Sequence, residues 1–253
     1  MDRLFETRPA WPGELMKSVT FPITSVTRLR RAAERARQSR DSGWLASAYN
    51  ADRLIGVFDT LRLKPGFGLY VDQFPENRSE NGAIWAVPTE ASFVIANACE
   101  SAEYARSCPP KPLHAVALMQ AVEGDGSPWS YLSASILRRE AAEFGASWPG
   151  YVWTDQAILS KLPRKSEDSN FPEDERDLTN DSNATEWAWH GKPPRIWEPT
   201  YSDKGATKQI ILHIRNPVGE DEIYRATDIY RAGSYDCTTR TKLLCTSGCG
   251  IIY

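Results

Sequence analysis

The chain has 253 residues, of which 41% are apolar and 25% are charged, and its net charge at pH 7 is −3. This is the composition of an ordinary globular domain, and it excludes the strongly basic character of a dedicated nucleic-acid-binding protein, so we expect no nucleic-acid partner. No stretch approaches the roughly 20 apolar residues of a membrane span, so we expect a soluble, cytoplasmic protein without a membrane partner. The sequence leaves the oligomeric state open.

The N-terminal part of the chain predicts an irregular arm followed by helices. Residues 1–22 contain three prolines and predict the arm. From Thr24 to Arg40, apolar residues recur at helical spacing with arginines between them, which predicts an amphipathic helix. Six arginines against one glutamate give residues 28–40 a local charge of +5, which we interpret as a solvated face. A second helical stretch is predicted over residues 44–61.

The middle of the chain predicts a hairpin and a well-defined helix. Two segments rich in aromatic and branched residues predict a hairpin over about 67–87, joined by a polar connection over 75–82 that contains Asn-Gly. A short helix is expected over 113–122. Ser127 is an N-cap followed by proline, and apolar residues then recur at helical spacing until Gly145, which predicts a helix between these two residues.

The C-terminal part predicts strands after a long acidic loop. Residues 164–185 are polar and predict a loop of the kind that is often disordered. Strands are predicted over about 207–232, with a weaker strand over 241–244. Early helices, a hairpin and late strands together predict one α+β domain over residues 1–253, with a mostly antiparallel sheet.

A tandem repeat is the most informative feature of the chain. Residues 223–234 read Ile-Tyr-Arg-Ala-Thr-Asp and then Ile-Tyr-Arg-Ala-Gly-Ser. Because strand side chains alternate with a period of two, Tyr224, Asp228 and Tyr230 share one face if the segment is extended. A carboxylate between two phenols on a partly dry face suits acid/base catalysis, with Asp228 as acid or base and the tyrosines orienting a substrate. The alternative is a strand with one core face and one solvent face.

Further candidate residues would bind the substrate. Two arginines of the repeat lie on the opposite face of the strand, where they could bind an anionic group in a bidentate manner. Three tryptophans and a histidine in a proline-rich stretch could line a pocket for a flat or apolar ligand, although the tryptophans could instead cap the open face of the sheet. These substrate-binding candidates are Arg225, Arg231, Trp187, Trp189, Trp197 and His190.

Cofactor and metal motifs are absent from the sequence. There is no phosphate-binding loop, dinucleotide fingerprint or His-Glu-x-x-His motif, so we expect no cofactor. Cys237, Cys245 and Cys249 are separated by seven and three residues, which does not match a structural zinc site, so we expect no metal. His213 lies in an apolar run on the same face as Ile211, and we expect a structural rather than a catalytic histidine.

Two functions are consistent with these patterns. The first is a small-molecule-binding protein, in particular a cofactor-independent acid/base enzyme of the isomerase, cyclase or lyase type, acting on an aromatic or apolar substrate. The alternative is a non-catalytic protein-binding or adaptor module. An enclosed pocket with Asp228 at its wall would favour the enzyme, whereas a solid core beside a flat, exposed aromatic patch would favour the protein-binding module.

Overall fold

The structure, a computed structural model, describes residues 18–38, 50–76, 79–91, 95–96, 111–144, 153–163, 187–218 and 220–247. The predicted arm up to residue 17, the start of the second helical stretch, the whole acidic loop over 164–185 and Cys249 lie outside the described residues. Within the described ranges, none of the helices combines the length and the apolar content needed to cross a membrane.

Helices form where capping and apolar spacing predict them. The described helices are α1 Ile23–Gln38, α2 Ala51–Ile55 and α3 Pro128–Ala142, with a 3-10 turn at Leu118–Gln120. The two longer helices confirm the sequence predictions. α3 begins as predicted because the Ser127 hydroxyl accepts a hydrogen bond from the backbone N–H of Ser130 at 3.1 Å, and proline occupies the first helical position.

Fourteen strands lie within the described ranges. In chain order they are β1 Ser18–Thr20, β2 Leu61–Leu63, β3 Phe67–Glu76, β4 Ser79–Pro88, β5 Ile95–Ala96, β6 Lys111–Pro112, β7 Val116–Ala117, β8 Val122–Gly124, β9 Ala157–Ile158, β10 Ala188–Trp189, β11 Thr200–Asp203, β12 Thr207–Asn216, β13 Asp221–Arg231 and β14 Cys237–Ser247.

The main sheet has seven antiparallel strands and confirms the α+β prediction. Its order is β1–β11–β12–β13–β14–β10, and β9 pairs with the far end of β12. The predicted late strands correspond to β12 and β13, and the weaker predicted strand lies within the longer β14. The hairpin of β3 and β4, extended by β7, forms a second sheet, and the pairs β2–β8 and β5–β6 form two small ones.

Helix α3 forms the centre of the molecule. Eight consecutive residues, 130–137, are buried, so neighbours cover the helix on all sides rather than along one stripe. It contacts α1, β2 and β4 as well as β11 and β12 of the main sheet. One face of β12 and β13 therefore packs towards α3, and we call the opposite face the outer face of the sheet.

Two local predictions are wrong. The predicted connection over 75–82 is mostly strand, because Gln73 pairs with Gly82 and the ladder continues to Glu76 and Ser79. Cross-strand pairing in this long hairpin outweighs the local preference of Asn-Gly for a turn. The segment 113–122 forms a strand, a 3-10 turn and the start of another strand, since short apolar runs do not distinguish helix from strand.

Candidate functional site

The tandem repeat forms β13, and its even-numbered side chains share the face that packs towards α3. Tyr224, Asp228 and Tyr230 lie on this face as the period-two alternation predicts. Asp228 and Tyr230 are fully buried, and Tyr224 is partly buried. The structure therefore brings the three predicted catalytic residues together beneath α3, inside the core.

Asp228 is held by an arginine from α3. Arg139 donates two hydrogen bonds to its carboxylate, from Nη1 to Oδ2 at 2.6 Å and from Nη2 to Oδ1 at 3.1 Å. Thr239 on β14 donates a third, at 2.6 Å. Burial alone would raise the pKa of Asp228, but the charge of Arg139 and these hydrogen bonds outweigh it and lower the pKa. A carboxylate with a lowered pKa is a weak base at neutral pH.

The two tyrosines also have hydrogen-bond partners within the protein. The hydroxyl of Tyr230 lies 2.7 Å from that of Ser135, and Tyr224 donates to the Gln156 side chain at 2.7 Å. Burial raises the pKa of both phenols, and the nearby Asp228 carboxylate raises that of Tyr230 further. Both hydroxyls therefore stay protonated at neutral pH and can act as hydrogen-bond donors.

The predicted substrate-binding residues do not join this trio. Arg225 and Arg231 lie on the outer face of β13. Trp187, Trp189 and Trp197 pack with Ile223, Leu244 and Cys245 in a second, smaller apolar cluster on the outer side. The rings of Trp189 and Trp197 meet edge to face, with centroids 6.3 Å apart. His190 is exposed and is held by its backbone N–H, which donates to Leu244 O at 2.8 Å.

His213 is a buried histidine on the outer face, as expected from its position beside Ile211. Its Nδ1 lies 3.1 Å from the carbonyl oxygen of Trp197, which can only accept, so Nδ1 carries the hydrogen. Its Nε2 is buried and has no hydrogen-bond partner. Burial lowers the pKa of His213, and the positive charge of Arg225 lowers it further, against the hydrogen bond to Trp197. The ring is therefore neutral at physiological pH.

The neutral state of His213 makes stability depend on pH. Because the folded pKa is below the usual 6.5, the unfolded chain binds the proton more readily, so stability is complete above about pH 6.5 and falls as the pH drops towards the folded pKa. A His213→Asn variant keeps a donor for Trp197 but does not titrate. We expect urea unfolding to show a smaller loss of stability between pH 7.5 and pH 5 for the variant than for the wild type. Equal losses would contradict this account.

An open groove lies between the start of α1, the turn after α2 and the start of α3. Its volume is about 600 Å³. Phe21, Leu29, Val57 and Trp129 supply apolar walls, and the rings of Phe21 and Trp129 meet edge to face at 5.7 Å. The groove thus exposes part of the apolar and aromatic surface at the edge of the core, since Leu29, Val57 and Trp129 are only partly buried against it.

Two charged residues line the same groove. Arg28 and Asp59 are exposed, and neither has an ion-pair partner among the described residues. Arg28 also lines a neighbouring cleft of about 450 Å³ with Arg31 and Arg35, which are likewise exposed and unpaired in the described part of the chain. This side of the molecule therefore offers free positive charge next to an apolar surface.

In the part of the chain that the structure describes, no group of three or more His, Cys, Asp and Glu side chains is placed to hold a metal ion. Cys237 and Cys245 are free thiols, and burial raises the pKa of Cys245 to about 11. A buried thiol with such a pKa is a poor nucleophile and a poor metal ligand at neutral pH.

These features define an α+β protein with a curled, mostly antiparallel sheet beside a buried helix. Comparison with known protein families, with curated proteins and with solved structures finds no match to this chain.

Sequence reasoning did not find the groove. Its walls come from three segments that are far apart in the chain, at Phe21, Val57 and Trp129. Trp129 is the one signal that could have pointed to it, because tryptophan is favoured where one end of the side chain is apolar and the other meets a polar environment. The exposure of the Trp129 ring depends on how α1 packs against α3, and the local sequence pattern does not determine that packing.

Proposed function

We propose that this protein binds a small organic anion with an aromatic or apolar body in the groove between α1 and α3. The observation that carries the proposal is an apolar groove of about 600 Å³ with an unpaired Arg28 at its edge. Small-molecule sites generally occupy roughly 300–1,000 Å³ and combine apolar walls with a few polar groups.

The side chains at the groove suggest how such a ligand would be oriented. The partly exposed ring of Trp129, which packs edge to face on the buried Phe21, offers a surface for an aromatic body. The guanidinium of Arg28 can form a bidentate pair with a carboxylate, sulfonate or phosphate. Asp59 lines the groove without bonding to Arg28, so its carboxylate is available to accept a hydrogen bond from a donor group of the ligand.

A pair of fluorescent probes tests the proposal. The probes are 1-anilinonaphthalene-8-sulfonate and its neutral analogue N-phenyl-1-naphthylamine, and binding is followed by probe fluorescence and by quenching of tryptophan. We expect Ala32→Phe, which fills the groove, to weaken both probes by about tenfold or more, a loss of at least about 1.4 kcal/mol. Arg28→Gln should weaken the sulfonate selectively, because the neutral probe makes no ion pair.

Arg31→Gln is the matched control, since Arg31 lies on the same helix and lines the neighbouring cleft rather than the groove. It should leave the affinity for both probes unchanged. The unfolding midpoint of each variant is measured in parallel, because anilinonaphthalene dyes also bind loosely folded chains. If Ala32→Phe folds normally and binds both probes as tightly as the wild type, the groove is not the ligand site.

Acid/base chemistry at Asp228 stays a prediction. Binding without a reaction agrees better with the geometry, because Asp228 and Tyr230 are fully buried and Arg139 and Thr239 already occupy the carboxylate. Asp228 lines neither of the two clefts described above, whereas the enzyme hypothesis required a pocket with Asp228 at its wall. The proposed ligand, an organic anion with an aromatic or apolar body, agrees with the aromatic or apolar substrate that the sequence predicted.

A further inference from the structure

We infer that the outer face of the seven-stranded sheet is a docking surface for an extended acidic segment of a partner polypeptide. This surface is independent of the groove beside α1, because it lies on the side of the sheet that faces away from α3.

The outer face is rich in cations and almost free of acids. Its outward positions in β12, β13 and β14 follow from the strand register, since residues directly opposite each other share a face. Within the described strands the one acid at these positions is Asp221, which forms a bidentate pair with Arg215. Four further cations have no ion-pair partner among the described residues: Arg225, Arg231, Arg240 and Lys242.

Three of these cations form a cluster that the fold alone does not explain. Arg225 on β13 lies directly opposite Lys242 on β14, and Arg240 is two residues from Lys242 on the same face. Like charges directly opposite each other in a sheet destabilise the pairing. His213 on β12 lies directly opposite Arg225 on the other side of β13. Its ring is neutral and provides no counter-charge. A partner that supplies negative charge would relieve this repulsion.

The spacing of the cluster suits an extended peptide. Residues two apart in a strand point the same way and are separated by about 6.7 Å. Arg240 and Lys242 have this spacing, so alternate carboxylates of an extended acidic segment could each meet one cation, with Arg225 beside them. Arginine adds specificity because it binds carboxylates in a bidentate manner.

A nucleic acid fits this face less well. Single-stranded nucleic acids require exposed aromatic rings on which bases stack. The tryptophans on this side, Trp187, Trp189 and Trp197, pack on one another or on the aliphatic side chains of their cluster and are only partly exposed.

Two variants with equal charge changes test the inference. The first, the sheet variant, replaces Arg225, Arg240 and Lys242 by glutamine. The second, the control variant, replaces Arg31, Arg35 and Lys204 by glutamine, three exposed cations outside the outward positions of β12, β13 and β14 and without an ion-pair partner among the described residues. The probe is a fluorescein-labelled decaglutamate, followed by anisotropy at low salt. We expect the sheet variant to bind it at least about tenfold more weakly than the wild type and the control variant within about twofold of it, since only the sheet variant loses cations of the proposed surface.

Any of the following results would overturn the inference. Equal losses in the two variants would mean that only net charge matters, and no measurable binding to the wild type would mean that the face is not a docking surface for acidic chains. Tighter binding of a labelled oligodeoxythymidylate than of decaglutamate would assign the face to nucleic acid. If decaglutamate binds only after the acids of residues 167–181 are replaced by amides, the occupant is this chain's own acidic segment. A large loss of thermal stability in the sheet variant would show that its cations are needed for folding, whereas we expect equal or higher stability.

Discussion

Replacing Arg139 by methionine is expected to destabilise the folded state by about 3–5 kcal/mol, the usual cost of removing one partner of a buried ion pair. Asp228 is 0% exposed, and Arg139 supplies two of its hydrogen bonds from α3. Methionine has a similar length but no charge, so the carboxylate would remain buried with Thr239 as its donor. Urea unfolding at pH 7 measures the loss.

A double-mutant cycle separates the ion pair from packing. Arg139→Met combined with Asp228→Asn leaves no buried charge, so the double variant should be more stable than Arg139→Met alone, and the coupling free energy should be large. Arg138→Met is the control: Arg138 is the neighbouring arginine on α3 and donates one hydrogen bond to Thr239, so we expect a loss below about 1.5 kcal/mol.

The result also bears on the proposed catalytic role of Asp228. If Arg139→Met costs less than about 1 kcal/mol, the carboxylate is solvated in solution, since an isolated buried charge is far more costly. Asp228 would then be accessible, and the acid/base hypothesis would regain support. A large loss would show that the pair holds α3 on the sheet, which agrees with binding in the groove rather than chemistry at β13.

The strand that carries the repeat could be predicted because its information is local. Alternation placed Tyr224, Asp228 and Tyr230 on one face before any tertiary contact was known. What covers that face could not be predicted, because helical periodicity locates α3 but does not show that Arg139 turns towards Asp228. A carboxylate among phenols has the same local pattern in a core as in an active site.

Helix α1 shows how a charge pattern can mislead. Its arginines were interpreted as one solvated face, and Arg28, Arg31 and Arg35 are indeed exposed. Arg37, however, is 1% exposed and ranks among the largest fully buried side chains. A signal was present, because Arg37 follows the buried Ala33 by four residues and so lies on the core side of the helix.

Arg37 is the second position at which we expect a large effect. Its Nε donates to Glu140 at 3.0 Å, its Nη1 donates to the carbonyl oxygen of Glu143 at 2.8 Å, and its Nη2 donates to the Thr154 hydroxyl at 2.6 Å. These bonds join α1 to the end of α3 and to the segment that follows. Trp153 is held in the same network, because its indole N–H donates to Glu140 at 2.8 Å.

Arg37→Met is expected to cost about 3–5 kcal/mol at pH 7, because it leaves the buried carboxylate of Glu140 without its cation. Burial already raises the pKa of Glu140 in spite of Trp153 and Arg37, and losing the arginine would raise it further. A folded pKa above the unfolded one means that the folded state binds the proton more readily, so stability falls as the pH rises. The cost of Arg37→Met should therefore be smaller at pH 5 than at pH 7.

Two further variants decide whether the loss comes from the unpaired buried charge of Glu140 or from packing alone. Arg35→Met removes the same charge from an exposed position of α1 and should change stability by less than about 0.5 kcal/mol. Adding Glu140→Gln to Arg37→Met should restore most of the stability at pH 7 and reduce the difference between pH 5 and pH 7. The remainder would come from Glu143, whose buried carboxylate lies 3.8 Å from Nη2 of Arg37. If the double variant is no more stable than Arg37→Met and keeps its pH dependence, the buried charge of Glu140 is not the cause. Lost packing of the long arginine side chain would then explain the loss, because the aliphatic part of an arginine covers apolar surface independently of its charge.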